Sequence, residues 1–119
     1  MITVDPAGPV APFEQVRSQI ADGIRSGALA EGFRLPSIRQ LAADLRVAAG
    51  TVAKAYSALE SEGLIESSRA RGTRVRGGNA HGVRVREAAQ AFVDATDGIT
   101  LDEALGAVRA AWATRRHSG

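Results

Sequence analysis

The side chains that could do chemistry in this chain are mostly cationic, and they are bunched. Between Ser67 and Arg86 the charged residues are Arg69, Arg71, Arg74, Arg76, Arg84 and Arg86, with no acid among them. Such a stripe suits contact with phosphates, and the plainer reading is a solvated hairpin and linker. The formal net charge of +2 says less than this distribution. Catalytic candidates are thin. The two histidines, His81 and His117, fall in a linker and a tail without a partner nearby in sequence. Asp97, Asp102 and Glu103 could suggest a metal, but a helix break and a capping box explain them better. Gly77-Gly78 lacks the following Lys-Ser/Thr of a phosphate-cradling loop. The chain has no cysteine, which excludes disulfides, zinc fingers and thiol chemistry. The expectation is no enzyme, no cofactor and no metal; a reducing cytoplasm is compatible with this composition.

Cations must be held in place by something, and 119 residues allow one domain plus an appendage. Aromatic residues make up only 4% of the chain, so the core must be aliphatic. No apolar run approaches the roughly 20 residues of a membrane span. The start of the chain lacks the basic-then-apolar pattern of a secretory signal.

Residues 1 to 11, with Pro6, Gly8 and Pro9, read as a loose arm. Pro12 can open a helix on which Phe13, Val16, Ile20 and Ile24 form one apolar stripe, and Gly27 stops it. Ser37 and Gln40 have the spacing of a capping box for a second helix, whose buried face is Ile38, Leu41, Ala42 and Leu45. Arg46 to Gly50 make the turn into a third helix with Val52, Ala55, Tyr56 and Leu59 inside. Gly63 ends it. Leu64 and Ile65 begin a strand, Arg69 to Gly72 turn, and Thr73 to Arg76 return. A two-stranded ribbon is marginal alone and needs helices beneath it. Gly77, Gly78, Asn79 and Gly82 then form a linker. Two further helical patterns follow, broken at Thr96-Asp97-Gly98. Thr100 and Glu103 are spaced as a second capping box, and Arg115-Arg116-His117 suits a helix C-terminus.

Helix, turn, helix and basic ribbon in that order make a winged helix-turn-helix. The fold expected is mainly α with a small β-ribbon (α+β). The DNA-binding domain is expected at 10–78, its helix-turn-helix at about 38–57 and its wing at about 64–76. A two-helix dimerisation tail is expected at 79–119. In such a head the second helix crosses the DNA backbone while the third presents its N-terminal end to base edges. The tail helices cannot hide their apolar faces on each other alone. Val85, Ala89, Phe92, Leu101, Leu105, Val108 and Trp112 are therefore expected to pair two copies, with docking on the first domain as the alternative.

At this point the residues resemble a family. Pro12-Phe13, Gly27, Leu29, Gly32, Leu35-Pro-Ser-x-Arg39, Leu41-Ala42, Leu45, Val47, Thr51-Val52, Leu59-Glu60, Gly63-Leu-Ile and Arg71-Gly-Thr-x-Val75 look like the N-terminal domain of GntR-type transcriptional regulators. The run Thr51-Val-Ala-Lys-Ala-Tyr56 is most similar to the YtrA and MocR branches. The short tail resembles the YtrA branch, whose members are small dimers without a full effector domain. The resemblance implies a cytoplasmic, repressor-like homodimer on a double-stranded operator, often encoded near transporter genes. It implies DNA contact by Arg39. Ser37 sits where a helix-start N–H can face a phosphate, besides its plain role as N-cap.

The third helix departs from the family. Ala48 stands where a capping Ser, Thr or Asn is usual, a loss of about 1 kcal/mol. Ala49 and Ala53 stand where many relatives carry polar or arginine readers. Alanine can touch a thymine methyl, Gly50 permits close approach, and Thr51 and Lys54 remain as polar contacts, with Lys54 able to reach guanine or a phosphate. Readout is thus expected to lean on methyl contacts, DNA shape and the wing. Tyr56 could donate to a phosphate or pack in the core. Arg69 and Arg71 flank the wing tip and could enter a minor groove, with Thr73 beside them. Ala70 replaces a common glycine, so Gly72 is the residue free to supply the turn. Two other functions stay open: a small-molecule sensor with its pocket at the dimer tail, and a winged-helix module for protein interaction.

Overall fold

The computed structural model describes residues 2 to 118, with side chains described through Arg115. Arg116 and His117 of the expected cationic tail therefore lie outside the described side chains. The elements are α1 (Pro12–Arg25), α2 (Ile38–Leu45), α3 (Ala49–Ser61), β1 (Ile65–Ser68), β2 (Gly72–Val75), α4 (Val83–Ala95) and α5 (Leu101–Ser118). They fall into two compact units, residues 1–81 and 82–119.

In the first unit α1 and α2 both pack against α3, and the hairpin packs beside it. Pro12 sits at the first turn of α1, where its missing N–H costs nothing. The helix then buries Val16, Ile20, Ala21 and Ile24. These meet Val52, Ala55 and Leu59 of α3 and Leu64, Ile65 and Val75 of the hairpin in one aliphatic core. Fully burying such a side chain contributes about 1.5–3 kcal/mol, so this cluster dominates the unit's stability.

The hairpin pairs Ile65 with Val75 and Ser68 with Gly72, so β2 begins one residue earlier than its sequence suggests. It is also not a two-stranded ribbon in isolation. The segment before α2 runs along the free edge of β2, with an antiparallel bridge between Arg34 and Arg74. Val75 N–H donates to the Phe33 carbonyl at 3.0 Å, Gly32 N–H to Val75 at 2.9 Å and Leu35 N–H to Thr73 at 2.8 Å. This third edge satisfies backbone groups that would otherwise face solvent, and it explains how so short a hairpin persists.

The arm expected to be loose is tied to α1. Thr3 N–H donates to Gln19 Oε1 at 3.0 Å, and Gln19 Nε2 returns a bond to the Thr3 carbonyl at 2.6 Å. Asp5 and Gln15 repeat the exchange at 2.7 and 2.8 Å, and Gln15 Nε2 also reaches the Val10 carbonyl at 2.7 Å. Each side-chain amide plays the part of a neighbouring strand's peptide. The match is geometric: residues i and i+4 of a helix are about 6 Å apart along the axis, close to the two-residue repeat of about 6.6 Å in extended chain. Alternate residues Ile2 and Val4 consequently turn onto the core.

In the second unit, Gly98 takes φ +89° at the break between α4 and α5. Half of the expected capping box forms: Glu103 N–H donates to Thr100 Oγ1 at 3.1 Å, while the Glu103 carboxylate takes the Thr100 hydroxyl, at 3.3 Å, in place of the backbone N–H. No residue of α4 is buried, and Val85, Val93, Leu101 and Trp112 are each more than half exposed. No helix among the described residues is long and apolar enough to cross a membrane.

Candidate nucleic-acid interface

The dipeptide Leu35-Pro36 fixes how the cationic parts stand to one another. Leu35 N–H is bonded to Thr73 on the wing. The Pro36 carbonyl accepts the Tyr56 hydroxyl of α3 at 2.7 Å. Ser37, the next residue, begins α2. Wing, α3 and α2 therefore meet at three consecutive residues, each held by a hydrogen bond or a helix cap.

Ser37 Oγ accepts from Gln40 N–H at 3.1 Å, so its capping role is filled by the side chain. The box is only half made. Gln40 does not turn its oxygen back to the Ser37 N–H; its side chain points forward, Nε2 donating to the charged i+4 carboxylate of Asp44 at 2.8 Å. The first N–H groups of α2 have no acceptor within the helix, and Arg39 on the same turn is exposed. α2 ends at Arg46, which takes φ +58°, the left-handed conformation, without being glycine.

At the head of α3, Ala48 supplies no side-chain cap, as its type predicts. Ala49 and Gly50 are exposed and Thr51 is half-buried. A Cβ added at Gly50 would meet nothing within 4 Å, so the surface there is open for close approach. Lys54 is exposed, and its Nζ lies 4.0 Å from the centroid of the Phe13 ring. Phe13, at the end of the apolar stripe of α1, is half-buried, with a ring face given to Lys54. Of the two roles open to Tyr56, the geometry fills the packing one. The ring is 5% exposed and its proton is committed to Pro36, so donation to a phosphate would break the junction. Burial pushes the phenol up to about 12 from 10.0.

On the wing, Arg69 and Arg71 are exposed. Arg71 N–H is caught by Ser68 Oγ at 2.9 Å. The left-handed residue of the turn is Gly72, at φ +72°, and Ala70 is spared that conformation. A Cβ at Gly72 would lie 3.0 Å from Nε of Arg34, a contact that basic spacing alone could not reveal. Thr73 is turned inward: its hydroxyl lies 3.1 Å from Ser67 Oγ and its carbonyl holds Leu35. Arg74 is also occupied, donating to the carbonyls of Arg71 at 3.1 Å and Gly32 at 2.9 Å. The cationic stripe thus divides into an arginine that ties backbone and others that point to solvent.

Among the described residues, carboxylates pair with cations elsewhere. Glu14 grips Arg17 at 2.5 and 2.7 Å, and Glu62 faces both Arg17 and Arg25. The bond from Arg17 holds the Glu14 carboxyl below its ordinary range. Arg39, Lys54, Arg69 and Arg71 have no acid within ion-pair distance among the described residues. In the second unit, Val85, Ala89, Phe92, Leu101, Leu105, Val108 and Trp112 line one apolar groove of about 780 Å³ between α4 and α5.

Residues 12–75 match the family described as bacterial regulatory proteins, gntR family. The HTH-type transcriptional repressor YtrA of Bacillus subtilis (strain 168) is 41% identical over 73 residues, covering 61% of this chain and 56% of that protein. The chain spans about half the length of the curated relatives it matches. Among solved structures, YtrA from Sulfolobus acidocaldarius, a GntR-family transcription factor, is 31% identical with a TM-score of 0.60, over 81% of this chain and 98% of that one. The AraR DNA-binding domain in complex with operator ORX1 is 27% identical with a TM-score of 0.53, over 61% of this chain and 93% of that one. A helix-turn-helix and wing matched over more than half its length make this chain a member of the gntR family of bacterial regulatory proteins, with YtrA among its homologues.

Proposed function

We propose that the chain is a sequence-specific transcriptional repressor that binds a twofold operator as a homodimer, and that it controls its own operon together with transporter genes. The observation that carries this reading is the solvent-facing set Arg39, Lys54, Arg69 and Arg71 around the open head of α3, with no acid paired to it among the described residues. The likeness to an operator-bound DNA-binding domain supports it.

In this reading the head of α3 enters the major groove. Ala49 and Gly50 permit close approach and methyl contact, Thr51 supplies a polar contact, and Lys54 reaches either guanine or a phosphate. Ser37 and Arg39 hold a phosphate strand, and Arg69 and Arg71 enter the minor groove beside Gly72. With few long side chains on α3, specificity leans on shape and the wing. The α4–α5 groove seats the same groove of a second copy, which would cover Leu101 and Trp112, 75% and 59% exposed in the single chain.

Footprinting on DNA upstream of the chain's own gene tests the whole reading. Two protected half-sites about one helical turn apart are expected. Arg71→Ala and Arg39→Ala should each weaken binding by about 1–3 kcal/mol where the contact is to a base, and flatten the salt dependence where it is to phosphate. Variants that both bind like wild type would refute the assignment. The volume and apolar lining of the α4–α5 groove favour one second reading, a seat for a small apolar effector that biases the dimer geometry. Thermal-shift screening separates the two: stabilisation by a small molecule at fixed protein concentration supports the effector, and stabilisation by protein concentration alone supports the dimer.

A further inference from the structure

We propose that Phe13 is a positioning residue for Lys54, tethering its ammonium at the flank of α3 so that Lys54 meets the DNA backbone and not a base. The inference rests on the DNA-binding reading above and deepens it.

Lys54 belongs to the outermost stripe of α3 with Gly50, Ser57 and Ser61, at helical spacings of four, three and four, and all four are exposed. From that stripe a free lysine could sweep forward over the helix head or sideways to either flank, since four rotatable bonds separate charge from backbone. The ring of Phe13 biases that freedom, because an ammonium over an aromatic face is attracted by the ring quadrupole. The ring is the fixed partner. Pro12 sets the first turn of α1, Gln15 is locked to the arm, and α1 packs along α3. The ammonium is therefore drawn off the outer stripe to the side of α3 that faces the start of α1. Its charge stays available. Glu14, the acid next in sequence to Phe13, is engaged by Arg17 on both oxygens. A cation on the flank of a reading helix is placed for phosphate, which positions without reading sequence.

Lys54 is the only lysine in the chain. Reductive ¹³C-methylation therefore marks it and the α-amino group alone. The methyl resonance of Lys54 should lie upfield in wild type and in Phe13→Tyr, from the ring current, and return to the position of a free lysine in Phe13→Leu. Binding of operator and of unrelated duplex is then measured for wild type, Phe13→Leu, Phe13→Tyr, Lys54→Ala and the Phe13→Leu/Lys54→Ala pair. Phe13→Leu should weaken both duplexes by the same factor, about two- to fivefold, and Phe13→Tyr should restore it. In the Lys54→Ala background Phe13→Leu should add nothing. An unshifted methyl in wild type, a loss confined to one operator sequence, or a full Phe13→Leu effect without Lys54 would each overturn the proposal. If no duplex is bound even by wild type, the DNA-binding reading fails and the role of Lys54 with it, while the methyl shift still reports whether the tether exists.

Discussion

The two units of this chain use the same helical periodicity and reach opposite ends. In the first, Val16, Ile20 and Ile24 of α1 meet the inner faces of α3 and the hairpin and are almost wholly withdrawn from solvent. In the second, Leu101, Leu105, Val108 and Trp112 recur at comparable spacing along α5, yet all four are exposed. An apolar stripe states that a face needs cover and does not state whose. Where a third element crosses the pair, cover comes from within; where a helix pair has no third layer, it must come from elsewhere. The sharpest way to break the comparison is to charge the uncovered face. Leu105→Asp with Val108→Asp should dissociate the proposed dimer in sedimentation analysis and lower affinity for a twofold operator on the order of 100-fold, by loss of effective concentration. The melting of the first unit should not move. A variant that stays dimeric would show that the pairing surface lies off this groove.

The next largest effect falls at the wing. Gly72→Ala meets a positive φ, while the Arg34 guanidinium at 3.0 Å is the far end of an exposed side chain and can step aside; the change should cost about 1–3 kcal/mol in urea unfolding. Gly98→Ala, also at positive φ but with open space around its Cβ, should cost the first unit nothing. Equal effects on the first unit would mean that the two units are coupled.

Legibility divides along the same line. Four of the five helices are readable from a local punctuation mark, Pro12, Ser37, Gly63 or Thr100, and α4 from the break at Thr96-Asp97-Gly98 that ends it. What escaped was made by residues far apart in sequence. The arm is not legible as an ordered segment because its partners, Gln15 and Gln19, lie off the apolar stripe of α1, where nothing in their type points to the arm. The third sheet edge at residues 32–35 is too short to announce itself, since Phe33-Arg34-Leu35 offers a single alternation between Gly32 and Pro36. At the candidate interface, Arg39, Arg69 and Arg71 were legible as cations. That Arg74 is spent on carbonyls 3 and 42 residues away was not, because charge says nothing of which donor finds a backbone acceptor first.

Tyr56 tests the junction on which the first unit's geometry depends. Tyr56→Phe leaves the Pro36 carbonyl without its partner and should cost about 1–2 kcal/mol. It should also weaken operator binding, since the head of α2 and α3 lose a mutual tie. The wild-type phenol offers a second check. Its pKa is raised in the fold, to about 12 from 10.0, so the protonated hydroxyl is the form the fold prefers. The stability it contributes is whole below pH 10 and is lost as pH climbs to about 12. Tyr56 is the only tyrosine, so ultraviolet absorbance of the phenolate follows this one site. Titration at the ordinary value would mean that the ring is not held as described.

Smaller gains are expected where the reading head departs from good helix practice. Ala48→Ser would place a hydroxyl at the uncapped start of α3 and should add about 1 kcal/mol.

Arg46 should give the smallest shift, because two terms oppose. It holds φ +58° at the end of α2, a conformation that costs a side-chain-bearing residue about 1–2 kcal/mol and that Gly98 adopts without cost in the second unit. Arg46→Gly removes the strain but gives the unfolded chain more freedom to lose, about 0.5–1 kcal/mol. The net gain should be only about 0.5 kcal/mol, measured by thermal melting. Operator affinity should fall at the same time, because an exposed cation between the two helices of the head is removed. Stability rising while affinity falls would mean that the strain is kept for the charge it carries. Affinity unchanged at low salt would leave Arg46 with no part in the interface, and the two units would then differ at this turn by residue type alone.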